Sequence, residues 1–348
     1  MAQAGTRVTL QTVADRVGVS RMTVSNAFSR PDQLSAELRA RILAAADALG
    51  YSGPDPSGRA LARGSTGAVG VLLTDSVGAA FSDPVAATFF GALTERLAPT
   101  GLAVTLVPSA GTTETTAARD VAIDAALVYS CAGGTPALDW LLKRRLPLVY
   151  VDQDAVGDAA TIHMDDRGGA RAAAEHLVSL GHRRVGLVGI GPVPLDAELQ
   201  PGAEDGHVGR ERVLGWLDGL RPAGVEVSAD RAAVHTEASA AEAATRLLSA
   251  ADRPTALLCF SDVVAWGAAD AARELGFEVP GDVSVVGFDD SPLATRMRPP
   301  LTTVRQDLVV KGQVAADALV AAVQGAPAEH RLLPVELVVR ESTAAPRA

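Results

Sequence analysis

The sequence predicts a small N-terminal helical domain followed by a larger α/β body of two lobes. Residues 10–49 carry apolar side chains at helical spacing. From Gly67 onward, short apolar runs alternate with amphipathic segments, which is typical of a parallel sheet with crossover helices. In a chain of 348 residues this body is too long for a usual single open sheet, and so we expect two α/β lobes.

The segment from Leu10 to Phe28 predicts two short helices joined by a tight turn. Thr9 is placed to cap the first helix, Gly18 can take the positive φ of a sharp turn, and Ser20 is placed to cap the second helix. The apolar residues of both helices fall on faces that can pack together: Leu10, Val13, Ala14, Val17, Val24, Ala27 and Phe28. This spacing is typical of a helix-turn-helix, whose second helix enters the major groove of DNA. An ordinary αα-hairpin is the alternative.

A third helix is predicted from near Ser35 to Leu49, ending at Gly50, and it completes a headpiece over residues 1–52. Residues 53–66 are interpreted as a linker, because the prolines of the segment 51–56 disfavour a helix there. Residues 57–64 can form one or two helical turns. This linker helix is marginal on its own because it is short and contains Gly58.

The body from residue 67 to residue 348 contains strand candidates and amphipathic helices in alternation. The predicted strands are 69–73, 104–107, 125–129, 148–151, 185–189, 256–259 and 283–287. Predicted helices between them include 83–97, 168–180, 210–220, 239–250 and 263–275. The boundary between the two lobes is not visible in this pattern.

Charge is distributed unevenly along the chain. The formal net charge is −10, yet residues 1–65 hold eight arginines against five acidic residues. A small basic module joined to an acidic body is typical of a DNA-binding head on a sensor domain. The acidic body should repel the phosphate backbone, and this confines contact with DNA to the headpiece.

Several features bound the compartment and the chemistry. The first residues do not resemble a secretory signal, no apolar run is long enough to cross a bilayer, and the two cysteines, Cys131 and Cys259, lie far apart. We therefore expect a soluble cytoplasmic protein with unpaired thiols. A secreted solute-binding protein would share the α/β body but would need a signal peptide and would lack the headpiece.

Catalysis finds little support in the sequence. The stretch from Gly186 to Gly191 resembles a glycine-rich phosphate loop, but its spacing is G-x-x-G-x-G and prolines follow instead of a helix start. No Ser/His/Asp set is evident, and the histidines show no metal-ligand spacing: His163, His176, His182, His207, His235 and His330. We expect no catalytic residue, no cofactor and no metal. An enzyme or small-molecule-binding protein of α/β fold, with a helical N-terminus that does not read DNA, is the alternative.

Motifs along the whole chain resemble LacI/GalR-type bacterial transcription regulators. Beyond the headpiece, they are Ala48-Leu49-Gly50-Tyr51, Glu175-His176-Leu177, Leu180-Gly181-His182-Arg183-Arg184, Arg212-Val213-Leu214-Gly215-Trp216, Val285-Val286-Gly287-Phe288-Asp289-Asp290, Pro300-Leu301-Thr302-Thr303-Val304 and Pro334-Val335-Glu336-Leu337-Val338-Val339-Arg340-Glu341-Ser342. The resemblance implies a type I periplasmic-binding-protein-like body of two lobes. By that analogy, lobe one covers about residues 67–163 and 292–325, and lobe two about 164–291 and 326–348.

The resemblance assigns base reading to Arg21, Met22 and Asn26 on the second helix. Arginine can bind guanine through two hydrogen bonds, asparagine suits adenine, and methionine can contact a thymine methyl group. In the family a leucine of the linker helix, here Leu61, wedges into the minor groove; packing against the partner's linker helix is the alternative. Short hydroxyl side chains are candidates for phosphate contacts, with helix capping or a solvated face as the equal alternative: Thr9, Ser20, Thr23, Ser25 and Ser29. Gly53 is an extra residue before the linker prolines, which leaves the half-site spacing open.

A small effector is expected between the lobes, at the carboxyl ends of strands. The resemblance matches Asp152, Arg212 and Asp289 to positions that hydrogen-bond the effector. A set of two acids and one arginine suits vicinal hydroxyls, which favours a sugar or related polyol; a salt-bridged set that ties the lobes together is the alternative. Further candidates are Asp75, Ser76 and Phe81 in lobe one, and Ser261, which stands where many relatives carry an amide. The irregular stretch 191–209 is interpreted as a loop, with a pocket lid as the alternative.

Together these features predict a homodimeric, effector-controlled repressor that binds a near-palindromic operator on double-stranded DNA. The chain ends at Ala348 without a heptad tail, and so we expect a dimer and not a tetramer. The sequence does not reveal the effector, the regulated genes or whether the effector releases DNA.

Overall fold

The computed structural model describes residues 8–73, 81, 83–109, 116–129, 135–191, 199, 201–202 and 205–347. These residues form two compact units, Met1–Gly67 and Ala68–Ala348. Within the described ranges, no helix is both long and apolar enough to cross a membrane.

The N-terminal unit is built from short helices, as predicted. They are α1 (Leu10–Val17), α2 (Arg21–Ser29), α3 (Ala36–Ala48) and α4 (Pro56–Arg63), with a 3-10 turn at Pro31–Gln33. The side chains of Thr9, Ser20 and Ser35 accept hydrogen bonds from backbone N–H groups in the first turns of α1, α2 and α3. Gly18 follows α1 with φ +77°, the left-handed conformation that the tight turn requires.

The core of this unit comes from the predicted inward faces of α1, α2 and α3. Its fully buried residues are Val13, Ala14, Val24, Ala27, Ile42 and Ala46. Phe28 meets Tyr51 edge-on, with ring centroids 5.8 Å apart, so the chain beyond α3 also packs on this core. The headpiece is therefore held together by its own small apolar core.

The body contains two sheets with helices on their faces. The strands are β1 (Ala68–Leu73), β2 (Ala103–Pro108), β3 (Ala125–Tyr129), β4 (Leu148–Val151), β5 (Ala160–Met164), β6 (Arg184–Ile190), β7 (Glu226–Ala232), β8 (Ala256–Cys259), β9 (Ser284–Asp289), β10 (Thr302–Gln306), β11 (His330–Leu333) and β12 (Val335–Val338). The α-helices are α5 (Pro84–Leu97), α6 (Pro136–Lys143), α7 (Asp166–Ser179), α8 (Gly206–Leu220), α9 (Glu237–Leu248), α10 (Asp262–Glu274), α11 (Pro292–Arg296) and α12 (Leu308–Val323). Short 3-10 turns lie at Ala98–Thr100, Ala117–Arg119 and Arg221–Ala223.

Each sheet belongs to one lobe. The lobe-one sheet has the strand order β11-β5-β4-β3-β1-β2, with every pairing parallel. The lobe-two sheet has the order β12-β10-β9-β8-β6-β7, and only its β10–β12 pairing is antiparallel. Helices α5, α6 and α12 pack in lobe one, and α7 to α11 pack in lobe two. Buried alanine, valine and leucine dominate these cores.

The positions where the chain changes lobes differ in part from those expected by analogy. The chain passes from lobe one to lobe two after β5, near residue 164. However, β10 pairs with β9 in lobe two, whereas residues 292–325 were expected in lobe one, and β11 pairs with β5 in lobe one, whereas residues 326–348 were expected in lobe two. Sheet membership depends on long-range pairing between strands, which the local pattern of these short segments does not contain.

Candidate functional site

The first turn of α2 presents the predicted base-reading side chains on the surface of the headpiece. Arg21 and Met22 are exposed, and Met22 keeps 69% of its accessible surface although it is a large apolar residue. Asn26 is half-buried, and its amide nitrogen donates a hydrogen bond to Gln33 Oε1 at 3.1 Å. This bond uses one of the two amide N–H groups of Asn26, so the second N–H and Oδ1 are still available for a contact with adenine.

Four of the five candidate phosphate-binding hydroxyls, those of Thr9, Ser20, Thr23 and Ser29, already make local hydrogen bonds. Thr9 and Ser20 cap α1 and α2, the Ser20 and Thr23 hydroxyl oxygens are 2.8 Å apart, and Ser29 donates to the Ser25 carbonyl. These contacts account for the choice of small hydroxyl residues at the helix ends. Their contact with phosphates stays a prediction.

Leu61 lies on the linker helix α4, and 87% of its surface is exposed. A leucine side chain this exposed contributes little hydrophobic stabilisation to the protein, because almost none of its apolar surface is removed from water. This exposure suits both alternatives for Leu61, insertion into a DNA groove and packing against a second linker helix.

A cleft of about 770 Å³ lies in the body where the carboxyl ends of strands from both lobes meet. Lobe one contributes Asp83 and its neighbours at the start of α5, with Tyr129, Asp152 and Lys311. Lobe two contributes the remaining polar and aromatic lining, which includes Asp166, Arg212, His235, Glu237, Phe260, Ser261, Asp289 and Gln306. This volume is in the range of small-molecule binding sites.

Arg212 of α8 is the centre of the lobe-two side of the cleft. Its Nε donates to Asp166 Oδ1 at 2.8 Å, one terminal nitrogen donates to the Phe260 carbonyl, and the other lies 3.5 Å from Asp289 Oδ1. The guanidinium also stacks 3.6 Å from the centre of the Phe288 ring. All of these partners belong to lobe two, so this network shapes one wall of the cleft and does not tie the lobes together.

Burial shifts the titration of the acids around Arg212. Burial raises the pKa of Asp289 well above its usual value, and Arg212 opposes that rise. The pKa of Asp166 is also raised by burial, again against the attraction of Arg212. Gln306 donates to Asp289 Oδ1 at 2.7 Å and so helps to fix this carboxyl group.

The lobe-one side of the cleft carries a second buried ion pair. Asp152 directly follows β4 with φ +58°, and its Oδ2 accepts a hydrogen bond from Lys311 Nζ on α12. Lys311 is 2% exposed and Asp152 is 7% exposed. The positive φ of Asp152 turns the chain at the strand end and places its carboxylate at the cleft.

Two lobe-two residues next to Arg212 complete the lining. Ser261 caps α10, and its hydroxyl lies 2.7 Å from His235 Nε2. His235 meets Phe260 edge-on, with ring centroids 6.0 Å apart. Ser261 stands where the resemblance leads us to expect an amide side chain, and its hydroxyl and the His235 imidazole are hydrogen-bonded to each other.

Near the cleft, the two lobes are bridged by one acidic residue of lobe one. Asp154 accepts two hydrogen bonds from Arg210, each 3.0 Å long, and lies 2.9 Å from His207 Nδ1. The His207 ring stacks on His163 of β5 with centroids 4.1 Å apart. Arg210 of lobe two therefore forms an ion pair across the lobes.

The structure brings together four of the predicted effector residues: Asp152, Arg212, Ser261 and Asp289. Phe81 is 54% exposed and lies 6.3 Å from the Phe90 ring, beside the aromatic cluster that includes Tyr129. Asp75, Ser76 and Cys131 lie outside the described residues, and Cys259 is a buried free thiol.

Sequence reasoning missed several lining residues: Asp83, Tyr129, Asp166, His235, Gln306 and Lys311. Asp83 and Asp166 open helices directly after strand–loop segments, which is a signal that could have identified them. Lys311 has no such signal, because it lies inside an apolar helix, where one lysine is normally expected to face solvent.

Comparison with known proteins gives the same two-part organisation. Residues 9–53 match the family model of bacterial regulatory proteins, lacI family, and residues 174–343 match a periplasmic binding protein-like domain. The chain is 38% identical over 332 residues to an HTH-type transcriptional regulator of Mycolicibacterium smegmatis, and the match covers 90% of both chains.

Solved structures extend this similarity to the whole fold. A lac repressor dimer bound to operator and the anti-inducer ONPF superposes with a TM-score of 0.82 at 28% identity, covering 98% of this chain and 100% of that chain. A complex of the transcriptional regulator CelR with cellobiose gives a TM-score of 0.70 at 28% identity, covering 97% and 100%.

These matches confirm the resemblance that the motifs indicated, and with it the helix-turn-helix headpiece and the two-lobed, type I periplasmic-binding-protein-like body. The curated relatives are named as transcriptional regulators or repressors and not as enzymes. The chain therefore belongs to the LacI family of bacterial regulatory proteins and is a DNA-binding transcriptional regulator.

Proposed function

We propose that the protein is a homodimeric repressor that acts in the cytoplasm on a near-palindromic operator and is controlled by a small polyhydroxylated effector. The exposed first turn of α2 is the observation that carries the DNA-binding part, because the side chains of Arg21 and Met22 form no hydrogen bond or ion pair with the other described residues. Two such turns in a symmetric dimer would read two half-sites in inverted orientation.

The geometry of the cleft supports the effector part of the proposal. Carboxylates of Asp152 and Asp289 lie on opposite walls, one in each lobe, and each is held by a cationic side chain of its own lobe. A ligand that donates hydrogen bonds to both would favour the closed arrangement of the lobes. A sugar or related polyol suits this role, and the CelR complex with cellobiose is a related case in a structure of the same fold.

Closure of the lobes provides a route from effector to DNA. A ligand that binds one lobe arrangement better than another shifts the population toward that arrangement. If operator also distinguishes the two arrangements, effector and operator change each other's affinity by the same coupling free energy. The linker helix α4 is short and contains Gly58, so it has low stability on its own and needs contacts with other molecules to stay folded. We infer that DNA and the partner chain stabilise it together.

Selection of bound sequences from a random DNA pool by the full-length protein, at a stated salt concentration, tests the proposal. We expect enrichment of an inverted repeat with two equal half-sites. Light scattering of the same preparation should give a dimer at micromolar concentration. Enrichment of a single half-site, or no enrichment in the presence or absence of candidate sugars, would contradict the proposal. A tetramer in light scattering would also contradict it.

A further inference from the structure

A buried lysine lies in the wall of the effector cleft. Lys311 lies on α12 with 2% of its surface exposed, and its Nζ donates to Asp152 Oδ2. The same Nζ lies 5.9 Å from the centre of the Phe89 ring. A buried ammonium group is costly unless it is paired, so the carboxylate of Asp152 is what allows a lysine here.

The second oxygen of that carboxylate is the informative atom. Asp152 Oδ1 is buried and has no hydrogen-bonding partner among the described residues, although Oδ2 of the same group is bonded to Lys311. A buried acceptor without a hydrogen-bond donor is unfavourable, because it has lost its bonds to water without replacement. The Asp152 side chain lines the cleft, and so a ligand in the cleft can satisfy Oδ1 by donating a hydrogen bond.

The donors of the cleft, in contrast, are already engaged. Arg212 bonds Asp166, the Phe260 carbonyl and Asp289, while Gln306 donates to Asp289. Among the described lining residues, five carboxyl groups face two cationic side chains: Asp83, Asp152, Asp166, Glu237 and Asp289 against Arg212 and Lys311. The cleft therefore presents mainly hydrogen-bond acceptors, and a complementary ligand must carry hydrogen-bond donors.

We propose that Lys311 is a specificity-determining residue of the cleft, which fixes Asp152 with Oδ1 directed to a ligand hydroxyl, so that the site takes uncharged polyhydroxylated compounds and rejects their phosphate esters. The proposal rests on the function proposed above and specifies its ligand class. A phosphate group brings acceptors and negative charge to a wall that already has both in excess. Because Lys311 neutralises Asp152, the donor that this carboxylate needs is a hydroxyl group and not an ammonium group.

Matched pairs of compounds test the ligand class on the full-length protein. The panel is glucose with glucose 6-phosphate, ribose with ribose 5-phosphate, cellobiose, mannitol and inorganic phosphate, each measured by the shift in Tm and by calorimetric titration. We expect at least one neutral compound to raise Tm and every phosphorylated partner to bind at least ten-fold more weakly than its parent. A panel without a neutral binder, or tighter binding of an ester, would overturn the proposal.

Variants of the pair test the role of Lys311 itself. In Asp152→Asn the ammonium group loses its counter-charge, so we expect inorganic phosphate to raise Tm and the preference for neutral compounds to fall at least ten-fold. Asp158→Asn makes the same charge change at an exposed residue of lobe one and should leave the selectivity as in the natural protein. Unchanged selectivity in Asp152→Asn would overturn the assignment.

A double variant keeps the test decisive if Asp152→Asn unfolds. Asp152→Asn with Lys311→Met contains no unpaired charge at this position, and we expect it to fold and to show no response to inorganic phosphate. A phosphate response that survives in the double variant would place anion binding elsewhere and contradict the proposal. Operator selection is the independent control: a selected operator with failed ligand selectivity would overturn only the role of Lys311, whereas no operator would overturn the proposed function.

Discussion

Single side chains determine what each surface of this regulator can recognise. Arg212 was predicted from its motif, and the structure gives it three partners that hold its guanidinium rigidly in lobe two. The sequence indicated Asp289 as one partner but not Asp166, because nothing in the chain order shows that the first residue of α7 faces α8. Arg21 differs from Arg212 in being exposed, so its guanidinium group is accessible to a binding partner.

Replacement of Arg21 by alanine should relax base specificity at one position of the half-site. Loss of a two-bond contact with guanine costs about 1–3 kcal/mol against that base. The measurement is Kd by fluorescence anisotropy on the selected operator and on its single-base variants. Arg16→Ala removes an exposed charge from the end of α1 and should weaken all sequences alike or not at all. Equal loss on operator and random DNA in Arg21→Ala would contradict base reading.

At the scale of elements, the sequence predicted those helices and strands whose apolar residues show a clear period. Strands β3, β4 and β8 have the predicted bounds, and most others differ by a residue or two at their ends. Strands β5, β7, β10, β11 and β12 were missed. β11 is largely exposed, β12 has no buried residue, and β7 is buried only at its last two residues. β5 and β10 mix polar with apolar residues, so that only pairing with neighbours identifies these five segments as strands.

Close packing of α7 on α8 gives a prediction about helix contacts. Gly215 on α8 has no room for a side chain, because a Cβ there would overlap the Arg167 carbonyl oxygen and lie 2.8 Å from Ala170 Cβ. Gly215→Ala should therefore destabilise the body by about 1–3 kcal/mol through overpacking. Gly91→Ala is the matched control, since a Cβ on that α5 glycine meets nothing within 4 Å.

Chemical denaturation of the two glycine variants separates these effects. For Gly91→Ala we expect a gain of about 0.5–1 kcal/mol, because alanine is the better helix former. The changes in the free energy of unfolding should therefore have opposite signs in the two variants, which distinguishes the effect of close packing from that of helix propensity. A gain in both variants would show that α7 and α8 can move apart without cost.

At the scale of the whole molecule, the sequence indicated two lobes but could not place all of the crossings between them. The cleft forms only because β4, β9 and their following residues, from distant parts of the chain, end at the same place. Asp152 and Lys311 are far apart in sequence and meet only after lobe one has folded. The motif residues of the site could be predicted one by one, whereas their pairing is a property of the tertiary fold.

Lobe two also contains an acid whose burial affects the stability of the whole body. Asp262 is fully buried at the start of α10, where it accepts hydrogen bonds of 2.6 Å from the Thr303 hydroxyl and from the Ser291 backbone N–H. Burial raises the pKa of Asp262 to about 6, and these two hydrogen bonds oppose the rise. In the unfolded chain the same carboxyl group titrates near 4.

The sign of the resulting pH dependence follows from proton binding. Between about pH 4 and pH 6 the folded state holds this proton more tightly than the unfolded state, so the contribution of Asp262 to stability is present at low pH and is lost as pH rises. In Asp262→Asn this dependence disappears. The free energy of unfolding of the natural protein minus that of the variant should fall by about 1 kcal/mol between pH 5 and pH 7, as measured by urea denaturation. A difference that rises over this range would show that hydrogen bonding to the ionised carboxylate outweighs its burial.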